Sequence, residues 1–306
     1  MNRRNFLKGM AFSVATVGFS QFDRLGASNL LKKGLKKITI LHTNDTHSQI
    51  ETLSPTHHKF PNMGGFSRRA ALIKKIRNEE SNVLLFDAGD IYMGTAYFNY
   101  FDGELEFKLM SEMKYDAATI GNHEFDNGLE GIDKNLKHAN FQFISSNYDF
   151  SNTILKDKIL DYKIYNIDDV SVGVFGLGIE LKGLVSESNC KGVIYKDPVE
   201  TAAKTAYFLK KECKCDIIIC LSHLGFSYNN NKISDIDIAK QSKNIDVIIG
   251  GHTHTVLKNA VILRNSDGEE IIVAQAGCDG VMLGKIDVYI QKKIKLKWKN
   301  AHTIKI

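Results

Sequence analysis

The stretch TIGNHEFDNG, residues 119–128, decides how this 306-residue sequence is read. A short apolar run enters a glycine, and Asn122, His123, Glu124 and Asp126 then fall within five positions. Polar side chains cost free energy to bury without partners, so a cluster of them at the exit of a strand-like run points to ligand chemistry. The pattern recurs along the chain. ITILHTNDTH (38–47) ends in Asp45-x-His47, VLLFDAGD (83–90) carries Asp87 and Asp90, IIICLSH (217–223) ends at His223, and VIIGGHTH (247–254) ends in His252-x-His254. Half of the ten histidines thus stand in this set of strand exits. Each motif alone reads equally well as a cap, a turn or loop decoration; the signal is their conjunction. In open α/β sheets ligands are held outside the carboxyl ends of the strands. Carboxylate, imidazole and amide donors with no thiolate among them suit a first-row divalent metal rather than a structural zinc site.

The intervening segments set the fold class. KITILHT, NVLLFDAGD, AATIGN, FQFISSN and DIIICLSH read as strands. FSRRAALIKKIRNEE, GELEFKLMSEMKY, GLEGIDKNLKHA and DPVETAAKTAYFLKKECK read as helices, the last with Asp197 as cap and Pro198 at its first position. YKIYNIDDVSVGVFGLG reads as a hairpin turning at Asp168–Asp169, and NIDVIIGGH, EIIVAQAG and LGKIDVYIQKKIKLKW close the chain as strands. A βαβ order with a β-rich end predicts an α/β protein of two packed sheets flanked by helices. With 43% hydrophobic and 25% charged residues, three prolines and no repeat, residues 28–306 are expected to form a single domain.

The first 27 residues are different. MNRRNFLKGMAFSVATVGFS pairs Arg3 and Arg4 with Phe6, Leu7 and Lys8 ahead of a weakly apolar run, and resembles a twin-arginine export signal. That run is shorter than the ~20 residues a membrane span needs, and no cysteine follows it for a lipid anchor. Removing residues 1–27 takes away Arg3, Arg4, Lys8 and Arg24 against Asp23, so the net charge falls by three, from +5 to +2. The basic balance is therefore largely a property of the leader and argues for no nucleic-acid surface. Lys293, Lys295, Lys297 and Lys299 alternate with apolar residues, as in a strand with one wet face near a sheet edge. Five cysteines, an odd count, make no disulfide framework, although one bridge remains open in an oxidising compartment.

The series Asp45-x-His47, Gly89-Asp90, Gly121-Asn122-His123-Glu124, Leu221-Ser222-His223 and Gly250-Gly251-His252-x-His254 resembles the calcineurin-like metallophosphoesterase superfamily. LHTNDTH, GDIYMGT, GNHEFDNG and MGGFSRRAALIKKIR narrow the resemblance to its 5′-nucleotidase branch, from about Lys37 to near the chain end. The resemblance implies a four-layer α/β/β/α sandwich of two mixed sheets and a site for two divalent ions, Mn, Zn or Fe. Asp45, His47 and His254 would bind one ion, Asn122, His223 and His252 the other, and Asp90 would bridge them. His123 and Asp126 match the family's catalytic pair, with Asn122 and His123 also touching substrate. The implied reaction is hydrolysis of a phosphate ester, a nucleotide above all, by attack of a metal-activated hydroxide. Two metals ~4 Å apart lower the pKa of a shared water and clamp phosphoryl oxygens, and a cationic His123 can bind developing negative charge. Glu124 is read as a local cap, His42 as packing behind Asp45, His57 and His58 as a solvated loop, and YFNYFDG as helix core.

Secreted members of that branch carry a second, C-terminal specificity domain, and the expectation from this sequence is the metal domain without it. Three readings result: a self-sufficient exported phosphoesterase, a catalytic subunit working with a separately encoded C-terminal-type subunit, or a non-catalytic metal-binding module. The last requires a lost ligand or dyad residue, and none is lost. Related chemistries, 2′,3′-cyclic phosphodiesterase and thiosulfohydrolase, share the metal motifs. The expected setting is the periplasm or cell exterior, with no stable membrane anchor and no nucleic-acid duplex as partner.

Overall fold

The computed structural model describes residues 35–292 and 296–306. The export segment expected over 1–27 lies outside the described residues, as do Lys293 and Lys295. Contacts divide the described residues into a small unit, 35–37 with Val288–Trp298, and a large unit, Ile38–Asp287 with Lys299–Ile306. Every residue of the expected site lies in the large unit. No helix among the described residues is long and apolar enough to cross a membrane.

The chain runs β1 (Lys36–Thr43), α1 (Phe66–Glu79), β2 (Val83–Asp87), α2 (Ala96–Phe101), α3 (Glu104–Glu112) and β3 (Ala117–Thr119). After a single 3₁₀ turn at His123–Phe125 come α4 (Gly128–Leu136), β4 (Gln142–Ile144), β5 (Tyr148–Asp149), β6 (Tyr162–Ile167), β7 (Val170–Leu177) and β8 (Ile194–Tyr195). Next are α5 (Pro198–Lys211), β9 (Ile217–Ser222), α6 (Asp235–Gln241) and β10 (Val247–Gly250). β11 (Val261–Arg264), β12 (Glu270–Ala274), β13 (Met282–Gln291) and β14 (Leu296–Lys305) follow. Two six-stranded sheets form, in the orders β14-β13-β1-β2-β3-β4 and β11-β12-β10-β9-β7-β6, with β5 and β8 as a separate pair. β1 to β4 pair in parallel, as do β7, β9, β10 and β12, while the β6–β7 hairpin and the β11–β12 pair are antiparallel. Both expected mixed sheets are present, and helices flank them: the fold is an α/β sandwich.

Side-chain spacing explains the layering. α5 buries Pro198, Ala202, Ala206 and Leu209, one stripe at helical spacing, and the last three share a core with Phe175 of β7 and Ile218 and Cys220 of β9. Asp197 caps this helix by accepting the N–H of Glu200, as expected. On the other sheet, Ile73 and Ile76 of α1 and Phe107 and Met110 of α3 join Leu41, Leu85 and Phe143 in one core. Every residue of β9 is buried, because a parallel strand covered on both faces reads as a continuous apolar run. At Gly176 of β7 a Cβ would strike the Ile144 carbonyl and the Thr119 side chain, so only glycine allows this close approach.

Three local readings change. The final strand expected over 283–298 is two strands, β13 and β14, with β14 at the sheet edge. α6 was not expected; it is only seven residues long, and its signal is a capping box in which Ser234 and Asp237 bond each other's backbone. In the YFNYFDG segment Phe98 is core, whereas Tyr100 and Phe101 are exposed. All five cysteines are free, three of them partly exposed.

Candidate metal centre

The parallel strands end at one edge, and the backbone there is unusual. Asp45, His47, Asp90, His252 and His254 all take left-handed φ, between 47° and 69°. Non-glycine residues rarely adopt this region, and such strain gathers at ligand sites where surrounding contacts enforce it. Glycines let the loops touch. A Cβ on Gly121 would strike Asp90 Oδ1, and one on Gly89 (φ 87°) would strike the Gly121 amide nitrogen.

These exits bring the seven expected ligands together as two groups, Asp45 with His47 and His254, and Asp90 with His223 and His252, the latter joined by Asn122. In the first, His254 Nε2 lies 3.0 Å from His47 Nε2 and 3.4 Å from Asp45 Oδ1. In the second, His223 Nε2 lies 3.0 Å from Asp90 Oδ2, and His252 Nδ1 lies 2.9 Å from Asn122 Oδ1. Donor atoms about 2.0–2.1 Å from a shared ion stand roughly 3.0–3.5 Å apart, so the spacing fits. Asp45 Oδ1 is also 4.0 Å from His223 Nε2, which brings the two groups side by side.

The imidazole tautomers fit as well. His223 Nδ1 donates to the Ala88 carbonyl at 2.6 Å, which leaves Nε2 as the ring atom open to a ligand, and that buried atom makes no hydrogen bond. A buried nitrogen left unpaired beside a carboxylate is what a cation would satisfy. His47 Nδ1 likewise faces the Tyr92 carbonyl at 3.2 Å and frees Nε2. Electrostatics favour a positive charge at this edge. Burial alone would neutralise His223, but the Asp90 carboxylate outweighs it and raises the imidazole to about 10, so that without a cation a proton fills the place beside Asp90. Burial opposes ionisation of Asp90, yet His223 draws it well below the usual carboxylate range. His252 is pushed down to about 4 by burial and then by the His223 charge, the neutral state a metal ligand needs. The edge is thus set to hold positive charge between two carboxylates.

His123 and Asp126 stand at the same mouth. His123 Nδ1 donates to Asp126 Oδ2 at 2.9 Å, and its ring centroid is 5.4 Å from that of His47. The bond to Asp126 raises the His123 pKa, against partial burial. Asn189 Nδ2 donates to the Asp126 carbonyl at 2.8 Å and steadies the pair from a separate loop.

Several residues here were not singled out from sequence. Asn44 Nδ2 donates to Asp45 Oδ2 at 2.5 Å and to the Gly277 carbonyl at 2.6 Å, and Asn44 Oδ1 accepts the Ala276 amide. Gln275 holds the Gly251 carbonyl through Nε2 and the Thr253 hydroxyl through Oε1. Glu124 does more than cap locally: its carboxylate accepts the Gly121 amide three residues back and also reaches the amides of the Asp90 loop. His42 is buried with its ring against Gly284, where a Cβ would collide with it. His57 stays in its loop, accepting the Phe60 amide.

Comparison with known proteins agrees with this geometry. Residues 38–256 match the family model described as calcineurin-like phosphoesterase. The chain is 36% identical over 280 residues to the snake venom 5′-nucleotidase of Crotalus adamanteus, an alignment covering 85% of this chain and 46% of that one. It is 34% identical over 305 residues to the trifunctional nucleotide phosphoesterase protein YfkN of Bacillus subtilis, covering 89% and 19%. It also superposes on the crystal structure of a 5′-nucleotidase precursor from Thermus thermophilus, with a TM-score of 0.80 at 30% identity, covering 89% of this chain and 55% of that one. The chain therefore spans about half the length of the venom and Thermus relatives and a smaller part of YfkN. With the matched region extending over most of the chain and taking in every strand exit that converges here, this protein belongs to the calcineurin-like phosphoesterase family.

Proposed function

We propose that this chain is an exported, metal-dependent phosphoesterase that hydrolyses nucleotides in the manner of a 5′-nucleotidase. One observation carries the reading: two adjacent ligand groups share a mouth with a hydrogen-bonded His123–Asp126 pair. The names of the relatives support the substrate class.

In this reading Asp45, His47 and His254 would hold one divalent ion, Asn122, His223 and His252 the other, and Asp90 would serve both. When bound, the ions supply Lewis acidity toward water and phosphoryl oxygens, and Mn²⁺, Zn²⁺ and Fe²⁺ all suit this nitrogen and oxygen set. Asn122 contributes a neutral oxygen, so the site keeps net positive charge for an anionic substrate. Asp126 fixes Nδ1–H of His123 and favours the imidazolium, which leaves Nε2–H as the atom that donates to phosphoryl oxygens as charge builds on them. Asn122 also touches the substrate from beside His123. Paired Arg3 and Arg4 support delivery by a route that carries folded proteins, to the periplasm or cell exterior.

The test is phosphate release by the purified chain, reconstituted with Mn²⁺ or Zn²⁺, from AMP, 2′,3′-cyclic AMP and bis-p-nitrophenyl phosphate. AMP turnover abolished by chelator is the expected result. Hydrolysis of the activated diester without AMP turnover would move nucleotide specificity to a second polypeptide. No metal-dependent turnover of any of the three would overturn the reading.

A further inference from the structure

Asp90 and Asn122 leave different strands, and backbone pairing between β2 and β3 ends at Asp87 and Ala118, before either residue. Beyond that point side chains join the two loops, and Glu124 makes most of the bonds. Its side chain is fully buried. Oε1 accepts the amide N–H of Ile91 at 2.7 Å and of Tyr92 at 3.4 Å. Oε2 accepts those of Gly121 at 2.6 Å and Asp90 at 3.0 Å. One carboxylate thus gathers three consecutive amides of the Asp90 loop and one at the start of the Asn122 loop. The His123 amide closes the clasp by donating to Asp90 Oδ1 at 2.9 Å, which leaves Asp90 Oδ2 facing His223 Nε2.

We propose that Glu124 is a positioning residue for the metal pair, holding Asp90 where its two oxygens can serve both ligand groups at once. Four amide donors on two oxygens require a carboxylate: glutamine offers one acceptor oxygen, and its NH₂ group would confront two N–H groups. Aspartate keeps both oxygens and the charge, but is one methylene too short to reach both loops. The proposal rests on the dinuclear reading above.

The test compares the full-length wild-type chain with Glu124→Gln and Glu124→Asp, each stripped by chelator and titrated with Mn²⁺. Bound ions are counted by elemental analysis, and coupling between them is read by electron paramagnetic resonance. Wild type is expected to take up two Mn²⁺ with the spectrum of an exchange-coupled pair. Glu124→Gln, with wild-type circular dichroism, should bind one of the two about ten-fold or more weaker and give isolated-ion signals. Glu124→Asp should retain two ions with weaker affinity and reduced coupling. A merely structural role would lower the melting temperature and leave count, affinity and coupling as in wild type; that outcome in Glu124→Gln overturns the proposal. Should Glu124→Gln not fold, Glu124→Asp decides, a wild-type pair overturning the proposal and a weakened pair supporting it. Fewer than two ions in wild type would instead overturn the dinuclear reading itself.

Discussion

The two ligand groups share an edge but differ in depth. Around Asp90 the His223 side chain is 0% exposed and Asp90 only 2%. Around Asp45 the carboxylate is equally buried, yet His254 is 43% exposed and His47 12%. The inner group is anchored by exits whose spare atoms are spoken for, His223 through the Ala88 carbonyl and Asp90 through the His123 amide. The outer group includes a histidine on an open loop. Preorganised, desolvated donors bind an ion more tightly and release it more slowly than donors that must be ordered on binding. Depth should therefore sort the site into a retained ion and an exchangeable one, with substrate entering from the exchangeable side, where His123 stands.

The largest effect should come from the inner group. Asp90→Asn or His223→Ala is expected to reduce metal-dependent hydrolysis to background, with bound metal falling below two ions per chain. Asp90 is central because, in the dinuclear reading proposed above, it would serve both ions, and because its loss removes the carboxylate 3.0 Å from His223 Nε2 and leaves only Asp45 Oδ1, 4.0 Å away. An Asp90→Asn protein with near wild-type turnover would end the distinction between depth classes.

His123→Asn separates chemistry from metal retention. Turnover should fall by about 10²-fold or more, while elemental analysis still counts two ions. Loss of an ion in this variant would mean that the dyad belongs to the metal shell after all.

The candidate residues were legible in the sequence because short polar runs recur at successive strand exits, and their division into two groups was what the family resemblance implied. Asp45-x-His47 or His252-x-His254 alone would have read as a turn; together with the other exits they point to a metal site. The supporting residues were not legible for a physical reason. Glu124, Asn44 and Gln275 act largely on backbone amides and carbonyls of other loops, and a backbone partner has no residue identity to betray the pairing. Helix α6 escaped because seven residues give too little periodicity, although Ser234-x-x-Asp237 marks its start. The depth difference itself was invisible, since a strand-exit motif carries no record of how far its side chain is exposed.

The exchangeable ion offers a smaller but sharper test. His254→Ala should weaken one of two ions by about ten-fold and leave the other at wild-type affinity. In the wild-type chain, dilution into chelator should release metal in two phases, and in His254→Ala the faster phase should accelerate while the slower stays unchanged. A single phase in wild type would show that burial of Asp90 and His223 does not control release.

Asn189→Ala carries the smallest expected effect and asks whether the outer side includes more than the metal donors. Its amide holds the Asp126 carbonyl from a loop that contributes no ligand. A neutral hydrogen bond contributes about 0.5–1.5 kcal/mol, and its loss loosens the backbone that aims Asp126 at His123 without removing either group. Turnover should therefore drop only a few-fold, about two- to ten-fold when the same energy is taken from the transition state, with metal count and release kinetics as in wild type. A penalty matching His123→Asn would mean that the dyad depends on the 189 loop for its existence and not merely its aim. An altered fast phase of metal release would mean that this loop also governs the exchangeable ion, and the outer side would then be one mechanical unit instead of a metal group beside an independent catalytic pair.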